Sequence, residues 1–394
     1  MKKAVALIII AALCFLLTPC TFAEIAEEYR KELKAAFLAE SSSMAAVLEW
    51  NPDEKLNVAG LSRLPSLLAV CRAFSEGKLS LEQSVTVSRA ASEVSGPTAF
   101  VQANERISAE SLLKSAVMIS AGDALYALGE AAFGSEEAFL AAVNSELKAL
   151  GIDAEYTSCV GENAQLSARD LFLTARELVK NEYFRNFSSL YMDEISHENA
   201  SPTELVNPNK LVKNYAGCFG AATGSSSDAG YCGVFTVEKN GMKLILVTVG
   251  SENSSKRFET ATKLLDAAFA GYSSVRLIGE GEIVAEDIKV ANSAGKKLSG
   301  AAARELSVLL SKDGTAPSKQ IELTEGLSAP IKKGDKIGVV NFVGQDGKTA
   351  ASVDIVAADD IAEATILEYI LFIARTWVEL VWKTGQTAAQ QQHG

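Results

Sequence analysis

Residues 51–63 read N-P-D-E-K-L-N-V-A-G-L-S-R, and this stretch and four later ones together decide the fold. Residues 118–124 read M-I-S-A-G-D-A, residues 207–211 read N-P-N-K-L, and residues 217–224 read G-C-F-G-A-A-T-G. Residues 237–247 then read V-E-K-N-G-M-K-L-I-L-V. The Asn-Gly pair between two apolar runs in this last stretch is a strong signal for a β-hairpin.

These stretches resemble, in the same order, landmarks of the D-alanyl-D-alanine carboxypeptidases, low-molecular-weight penicillin-binding proteins of the peptidase S11 type. In that family the first stretch leads into Ser-x-x-Lys, the second is a Ser-Gly-Asn-Asp-type run, and the fourth reads Gly-x-x-Gly-x-Lys-Thr-Gly. The resemblance spans residues 46–356. It implies an α/β fold in which a transpeptidase domain of the penicillin-binding-protein/β-lactamase type precedes a small β-rich domain and a C-terminal amphipathic helix.

The first motif has lost the chemistry of that family. Aligned without a gap, the nucleophilic serine becomes Gly60 and its partner lysine becomes Arg63. Glycine has no side chain with which to attack a carbonyl carbon, and arginine does not deprotonate in proteins, so it cannot act as a base. Ser62 does not replace the nucleophile, because two residues along a helix turn it about 200° away from the site.

The other two motifs are also incomplete. The second keeps Ser120 but has Gly122 in place of the asparagine, and the third keeps Thr223 and Gly224 but has Ala222 in place of the lysine. Substitutions spread over three motifs predict a catalytically degenerate protein.

The residues that remain still offer groups for binding. Arg63, Ser120, Thr223 and the backbone near Gly224 present hydrogen-bond donors to an anionic peptide terminus if the cleft stays open. The opposing interpretation is that Arg63 plugs the cleft or pairs with an acid such as Asp123.

Three functions follow from this pattern. The first is a degenerate homologue of the serine-type D-Ala-D-Ala carboxypeptidases that binds peptidoglycan stem peptide or a protein of the wall machinery. The second is an active carboxypeptidase that trims the terminal D-Ala of the pentapeptide, for which the retention of Ser120 and Thr223 is the support. The third is a structural protein with a closed cleft.

The N-terminus has the features of a secretory signal peptide over residues 1–23. Lys2 and Lys3 precede an apolar run over residues 4–17, and T-F-A at residues 21–23 offers a cleavage site before Glu24. An uncleaved anchor is the alternative. Either way, we expect an exported protein at the outer face of the cytoplasmic membrane or in the cell wall.

Composition excludes several other classes. The 394 residues are 48% hydrophobic and 22% charged, as in globular proteins, and the net charge is −12, or −14 without the two lysines of the leader. Because phosphate neutralisation needs a basic face, nucleic acid is not expected as a partner. With two histidines, His197 and His393, no metal site and no cofactor is expected. The four cysteines after the leader show no disulfide framework, and we expect them to be small buried residues, with Cys218 and Cys232 the one pair worth testing as a disulfide.

Changes in sequence pattern predict the domain limits. Residues 24–272 mix helices and strands, and residues 273–358 carry short Val/Ile strands with Gly/Asp turns. Residues 361–383 form an apolar helix with a charged stripe, which favours an in-plane membrane anchor over a membrane span. The alternative is a helix packed on the β-rich domain. Residues 384–394 are expected to be a disordered tail.

Local signals within the first domain predict particular helices. Ser108 opens a helix expected to continue to Phe133, and Ser135 caps the next one, which ends near Gly151. Ser167 and Asp170 form a capping box before another helix.

Overall fold

An antiparallel sheet lies at the centre of the first of two units into which the chain divides, Met1–Tyr272 and Ser273–Gly394. The computed structural model describes residues 22–312 and 314–391. The predicted signal peptide therefore lies outside the described residues, apart from its last two positions.

The strands and helices of the first unit are numbered in chain order. The strands are β1 (Ala35–Glu40), β2 (Ala46–Trp50), β3 (Leu56–Asn57), β4 (Ser84–Thr86), β5 (Arg106–Ser108), β6 (Gln165–Leu166), β7 (Met192–Ile195), β8 (Thr203–Val206), β9 (Cys218–Ser226), β10 (Gly230–Lys239) and β11 (Met242–Ser251). The helices are α1 (Phe22–Arg30), α2 (Leu64–Ser75), α3 (Arg89–Ser92), α4 (Ala109–Ile119), α5 (Gly122–Phe133), α6 (Glu136–Ala149), α7 (Ala168–Leu178), α8 (Glu182–Ser188), α9 (Leu211–Asn214) and α10 (Ser254–Gly271).

The central sheet has the strand order β2-β1-β11-β10-β9 and is covered on both faces. On one face, Phe37 of β1 packs edge-on against Phe172 of α7, with ring centroids 4.9 Å apart. On the other face, Phe235 of β10 contacts Phe258 of α10. Every residue of β1 is buried, which is the burial expected of a strand between two helical layers.

The predicted β10–β11 hairpin is confirmed, as are two predicted helix starts. Asn240 and Gly241 have φ angles of 52° and 75°, which a two-residue turn of the favoured hairpin type requires. Ser135 caps α6 by accepting from the amide of Ala138. Ser167 and Asp170 form the predicted reciprocal capping box of α7.

The prediction of one continuous helix from Ser108 to Phe133 is wrong. Ser108 does cap α4, but that helix ends at Ile119, and α5 begins at Gly122. Ser120 between them is in the left-handed conformation, with φ 55° and ψ 40°. This break lies at the second motif, so it shapes the candidate site.

The expectation of free, buried cysteines is confirmed, and Cys218 and Cys232, the one pair worth testing as a disulfide, are not bridged. All four cysteines in the described part of the chain are free and buried. In the β9–β10 pairing Cys232 lies opposite Gly224, while Cys218 lies opposite Val237, so the two thiols are at different positions along the ladder. Burial raises the pKa of the Cys218 thiol to about 11.

The second unit is rich in β-structure. A five-stranded antiparallel sheet with the order β13-β14-β18-β17-β16 encloses a small core that includes Leu298, Val340 and Ile355, and β12 pairs with β15. The strands are β12 (Tyr272–Ile278), β13 (Ile283–Lys289), β14 (Lys297–Ala302), β15 (Leu306–Ser311), β16 (Ser318–Leu323), β17 (Lys336–Val343) and β18 (Thr349–Ala357).

The C-terminal helix α11 covers Ile366–Gln391, so it starts later and ends later than predicted. Ile361, the predicted first residue, instead pairs with Ile331. The start is fixed by Thr365 and Glu368, because each side chain accepts from the backbone amide of the other. The tail predicted to be disordered from residue 384 is helical as far as Gln391.

The exposed apolar side chains of α11 are Ile366, Leu367, Ile370, Leu371, Phe372, Ile373, Trp377, Val378, Leu380, Val381 and Trp382. Near its start, α11 contacts the β-rich unit through a 2.9 Å ion pair between Glu368 and Lys296. That ion pair and hydrogen bonds from Thr365 lower the pKa of Glu368 to about 2, with the Thr365 backbone amide contributing most. Within the part of the chain that the structure describes, no helix combines the length and apolar character needed to cross a bilayer.

Candidate functional site

The first motif lies on a short 3₁₀ helix, Ala59–Arg63, rather than on the α-helix expected from the sequence. The turn begins where Asn57 accepts a 2.9 Å hydrogen bond from the amide of Ala59, which has a positive φ of 50°. The α-helix α2 starts only at Leu64. Ser62 lies in this turn and borders the same cleft as Gly60, but it is 7% exposed and its hydroxyl donates to Ala59 O at 3.0 Å.

Gly60 faces open space at the position aligned with the nucleophile. An ideal Cβ atom built on Gly60 would meet no atom within 4 Å. Strand β9 passes close to its backbone, since a Cβ on Gly224 would lie 2.8 Å from the Gly60 nitrogen. The site therefore has room for a side chain at position 60 and has none there.

Arg63 is buried, and backbone carbonyl groups from two neighbouring loops bind its guanidinium. Nη1 donates to Ser120 O at 2.6 Å and to Pro97 O at 3.2 Å, and Nη2 donates to Ser95 O at 2.7 Å. Burial lowers the pKa of Arg63, although the carboxylates of Asp123 and Glu162 oppose that shift. An arginine remains charged under such conditions, so Arg63 donates hydrogen bonds and does not accept protons.

Asp123 does not pair with Arg63 as the alternative interpretation suggested. Its carboxylate accepts from the backbone amides of Ala99, at 2.9 Å, and Val101, at 3.3 Å, and also from the amide of Ala124. Asp123 is 1% exposed. Asp123 therefore holds the loop over residues 95–104 at positions 99 and 101, while Arg63 holds it at positions 95 and 97.

The third motif lies on β9 beside the first. Ala222 pairs with Val234, Thr223 with Gly233 and Gly224 with Cys232 of β10. Ala222 is buried and belongs to the hydrophobic core of the unit. The lysine position of the family motif therefore contributes packing here and no charge.

An open cleft of about 440 Å³ adjoins these motifs. Its lining residues are Asn57, Ala59, Gly60, Ser62, Arg63, Ser95, Gly96, Pro97, Val160, Gly161, Glu162, Asn163, Ala164, Ser225 and Ser226. Of the positions singled out from the sequence, Gly60 and Arg63 belong to this lining. The other five, Ser120, Gly122, Ala222, Thr223 and Gly224, are not among its lining residues.

A second cavity of about 360 Å³ shares Glu162, Asn163 and Ala164 with the cleft. Together they provide an extended surface across one face of the first unit. Among the described residues, no cluster of three or more His, Cys, Asp and Glu side chains is placed to hold a metal ion.

One buried cation next to the third motif was not predicted from the sequence. Arg257 of α10 is 5% exposed, and its Nη1 donates to the carbonyls of Gly224 and Cys232, each at 3.1 Å. Burial lowers its pKa to about 10. The capping residue Asn253, four positions earlier, is the sequence signal that could have identified it. Asn253 fixes where α10 begins, and the start of the helix determines on which face of α10 Arg257 lies.

Comparisons with known proteins agree with this architecture. The sequence profile described as D-alanyl-D-alanine carboxypeptidase matches residues 23–253, and the profile of the penicillin-binding protein 5 C-terminal domain matches residues 272–363. The chain is 29% identical over 386 residues to D-alanyl-D-alanine carboxypeptidase DacF of Bacillus subtilis, covering 95% of this chain and 98% of that protein. It is 25% identical over 390 residues to DacC of Escherichia coli, covering 95% of each.

Solved structures confirm the predicted fold. Penicillin-binding protein 5 from Haemophilus influenzae matches with a TM-score of 0.74 at 24% identity, covering 84% of this chain and 98% of that one. The predicted order, an α/β domain of the penicillin-binding-protein type followed by a β-rich domain, is thus correct.

Proposed function

The chain belongs to the D-alanyl-D-alanine carboxypeptidase family, and we propose that it is a catalytically degenerate member with a peptide-binding cleft. This proposal rests on which residues occupy positions 60 and 63 and on what they contact. Gly60 offers no nucleophile, and the Arg63 guanidinium already donates to three backbone carbonyls.

The residues at positions 63 and 222 support the loss of hydrolysis, because neither can accept a proton. Acyl transfer by a serine enzyme needs a hydroxyl and a group that takes its proton. Arg63 has no lone pair to accept that proton, and Ala222 has no titratable group. Neither position can therefore activate a hydroxyl, even one supplied from elsewhere in the cleft.

An active carboxypeptidase is the alternative, and it would need a relocated nucleophile. Ser62 is a poor choice because its hydroxyl donates to Ala59 O at 3.0 Å. Ser95 is the better one, since its Oγ lies 3.4 Å from the carboxylate of Glu162. That separation is long for proton transfer, which favours the hypothesis of a catalytically degenerate protein.

The open cleft supports binding over a purely structural role. Its volume of about 440 Å³ is within the range of ligand sites, and the adjoining cavity extends it. We propose that it takes peptidoglycan stem peptide or a segment of a wall protein. We propose Arg63, Ser225 and Ser226, which line the cleft, as contacts within it, and Ser120, Thr223 and Gly224, which the family motifs suggest, as contacts beside it.

We further propose that the protein is exported and attached to the outer face of the cytoplasmic membrane. The leader-like sequence of residues 1–23 and the exposed apolar side chains of α11 support this location. The relatives' name, D-alanyl-D-alanine carboxypeptidase, implies a substrate in the cell wall, which agrees with it.

The test uses a pentapeptide ending in D-Ala-D-Ala. D-Alanine release should stay at the level of a buffer blank, while titration calorimetry should detect binding of the same peptide. A variant with Ser225→Tyr, which adds a ring at the lining of the cleft, is the matched control and should lose the binding heat. Release of D-alanine would reject the degenerate assignment, and absence of binding heat would favour a structural role.

A further inference from the structure

The Arg63 guanidinium ties together two segments that are distant in the sequence. It binds the carbonyls of Ser95 and Pro97 in the loop before β5, and the carbonyl of Ser120 at the break between α4 and α5. The same loop is tied to α5 by a 2.9 Å hydrogen bond from the Gly122 amide to Pro97 O. The guanidinium therefore lies at the junction of the first and second motifs.

Two glycines make room for this guanidinium. An ideal Cβ on Gly122 would lie 2.7 Å from both Cζ and Nη2 of Arg63, and one on Gly96 would lie 3.1 Å from Nη2. Separations under 3.0 Å are essentially never found for real Cβ atoms, so a side chain at position 122 would displace the arginine. The Gly122 Cβ would also come 2.7 Å from Val94 Cγ1, but a valine methyl can turn away.

We propose that Arg63, Gly96 and Gly122 form one packing unit, which we call the arginine clamp. The guanidinium occupies the space that the asparagine of the second family motif would need. The substitutions in the first and second motifs are then a single coupled change, and reversing either one alone destabilises the fold. This inference takes the motif positions from the proposed function but does not depend on whether the cleft binds or hydrolyses peptide.

The chemistry of arginine explains why lysine does not serve here. Arginine presents five N–H donors on a rigid plane, so it can bind carbonyl groups on several sides at once. Lysine is a point charge on a flexible stem, and it would leave at least one of these carbonyls without its donor. A buried polar group that loses its partner destabilises the fold.

A stability cycle on the full chain tests the clamp. The variants are Arg63→Lys, Gly122→Ala and the double variant, and the readout is the melting temperature. Arg63→Lys should lower Tm by about 4–8 °C, from the loss of hydrogen bonds to a charged buried group. Gly122→Ala should lower Tm by a similar amount in the wild-type background and by less than half of that in the Arg63→Lys background. Additive shifts would overturn the proposal.

Two other glycines provide matched controls. Gly60→Ala adds the same methyl group at a position where it meets no atom, so Tm should not fall. Gly129→Ala, also on α5, would overlap the Phe139 ring, and its cost should be equal in both backgrounds. If Gly129→Ala also costs less in the Arg63→Lys background, the coupling is not specific to the clamp and the proposal fails.

Hydrogen exchange covers the case in which Gly122→Ala does not fold. In Arg63→Lys alone, the Gly122 and Ala99 amides should exchange faster, while amides in β10 and β11 keep their wild-type rates. Unchanged exchange at Gly122 would overturn the clamp. A covalent penicillin adduct, by contrast, would reject the proposed function and leave the clamp standing.

Discussion

The guanidinium of Arg63 occupies the space that any side chain on Gly122 would require, since a Cβ there would lie 2.7 Å from Cζ and Nη2. One residue comes from the motif that supplies the nucleophile in this family, and the other comes from the second motif. Because the two positions pack against each other, the residue present in each motif fits the residue present in the other. The altered site is thus an ordered part of the fold, which agrees with the retention of the family architecture around it.

Restoring a serine at position 60 should leave the structure intact and the protein inactive. Gly60→Ser places its side chain in open space, so we expect the melting temperature to stay within about 1 °C of wild type. No D-alanine should be released from a pentapeptide, because Arg63 cannot take the serine proton. Thermal unfolding and an assay for free D-alanine check both parts, and release above the wild-type level would show that another base operates.

Asp123 should contribute strongly to stability although it takes no part in chemistry. Asp123→Ala leaves the buried amides of Ala99 and Val101 without their acceptor, so the free energy of unfolding should fall by about 2–4 kcal/mol. Urea denaturation measures the change. Asp193→Ala removes a partly exposed carboxylate that pairs with Lys114 and should cost less than about 1 kcal/mol. Equal costs for the two substitutions would contradict the role given to Asp123.

The thiols of Cys218 and Cys232 should be present and unreactive in the folded protein. Burial raises the pKa of both, to about 11 for Cys218, so little thiolate exists near pH 8 and alkylation by iodoacetamide should be slow. The rate should rise as the pH approaches 11. Denaturation without reductant should expose both thiols to full alkylation, as read by peptide mass. A peptide pair linked through the two cysteines would contradict the structure.

The helix α11 should determine membrane attachment. Trp377 and Trp382 are 67% and 70% exposed, and tryptophan side chains favour the membrane interface. We expect the full chain to sediment with anionic lipid vesicles and a chain ending at Asp360 to stay in the supernatant. Trp377→Ser with Trp382→Ser should weaken partitioning by about tenfold or more, whereas Ser318→Ala on the β-rich unit should not change it. Unchanged sedimentation of the truncated chain would reject attachment through this helix.

Local sequence signals predicted the parts of the fold that depend on neighbouring residues. The Asn240-Gly241 turn and the capping box of Ser167 and Asp170 need only a few adjacent positions, and both are present. The motif order was sufficient to identify the family and therefore the domain architecture. The turn and the capping box involve neighbouring residues, and the family is identified by motifs in a fixed order. Both kinds of feature can therefore be recognised from the sequence alone.

Tertiary contacts decided the features that the sequence did not predict. Residues 109–133 consist mostly of good helix formers, but the helix breaks at Ser120, two residues before Gly122, and the Ser120 carbonyl accepts from Arg63. The acceptors of Arg63 are backbone carbonyls 32 to 57 positions away, and backbone groups carry no sequence pattern. The 3₁₀ turn at Ala59–Arg63 was also not predicted, because the expectation of a helix there came from the family resemblance and not from the local residues.

Covalent labelling with a fluorescent penicillin, followed by intact mass measurement of the full protein, tests directly whether the protein lacks a working nucleophile. β-Lactams mimic D-Ala-D-Ala and acylate the active serine of this family, so the reaction reports a working nucleophile independently of substrate choice. We predict no mass increase after prolonged incubation with folded protein. A stoichiometric adduct on any serine, with Ser95 and Ser62 the first to map, would contradict the account and identify the residue that replaces the missing nucleophile.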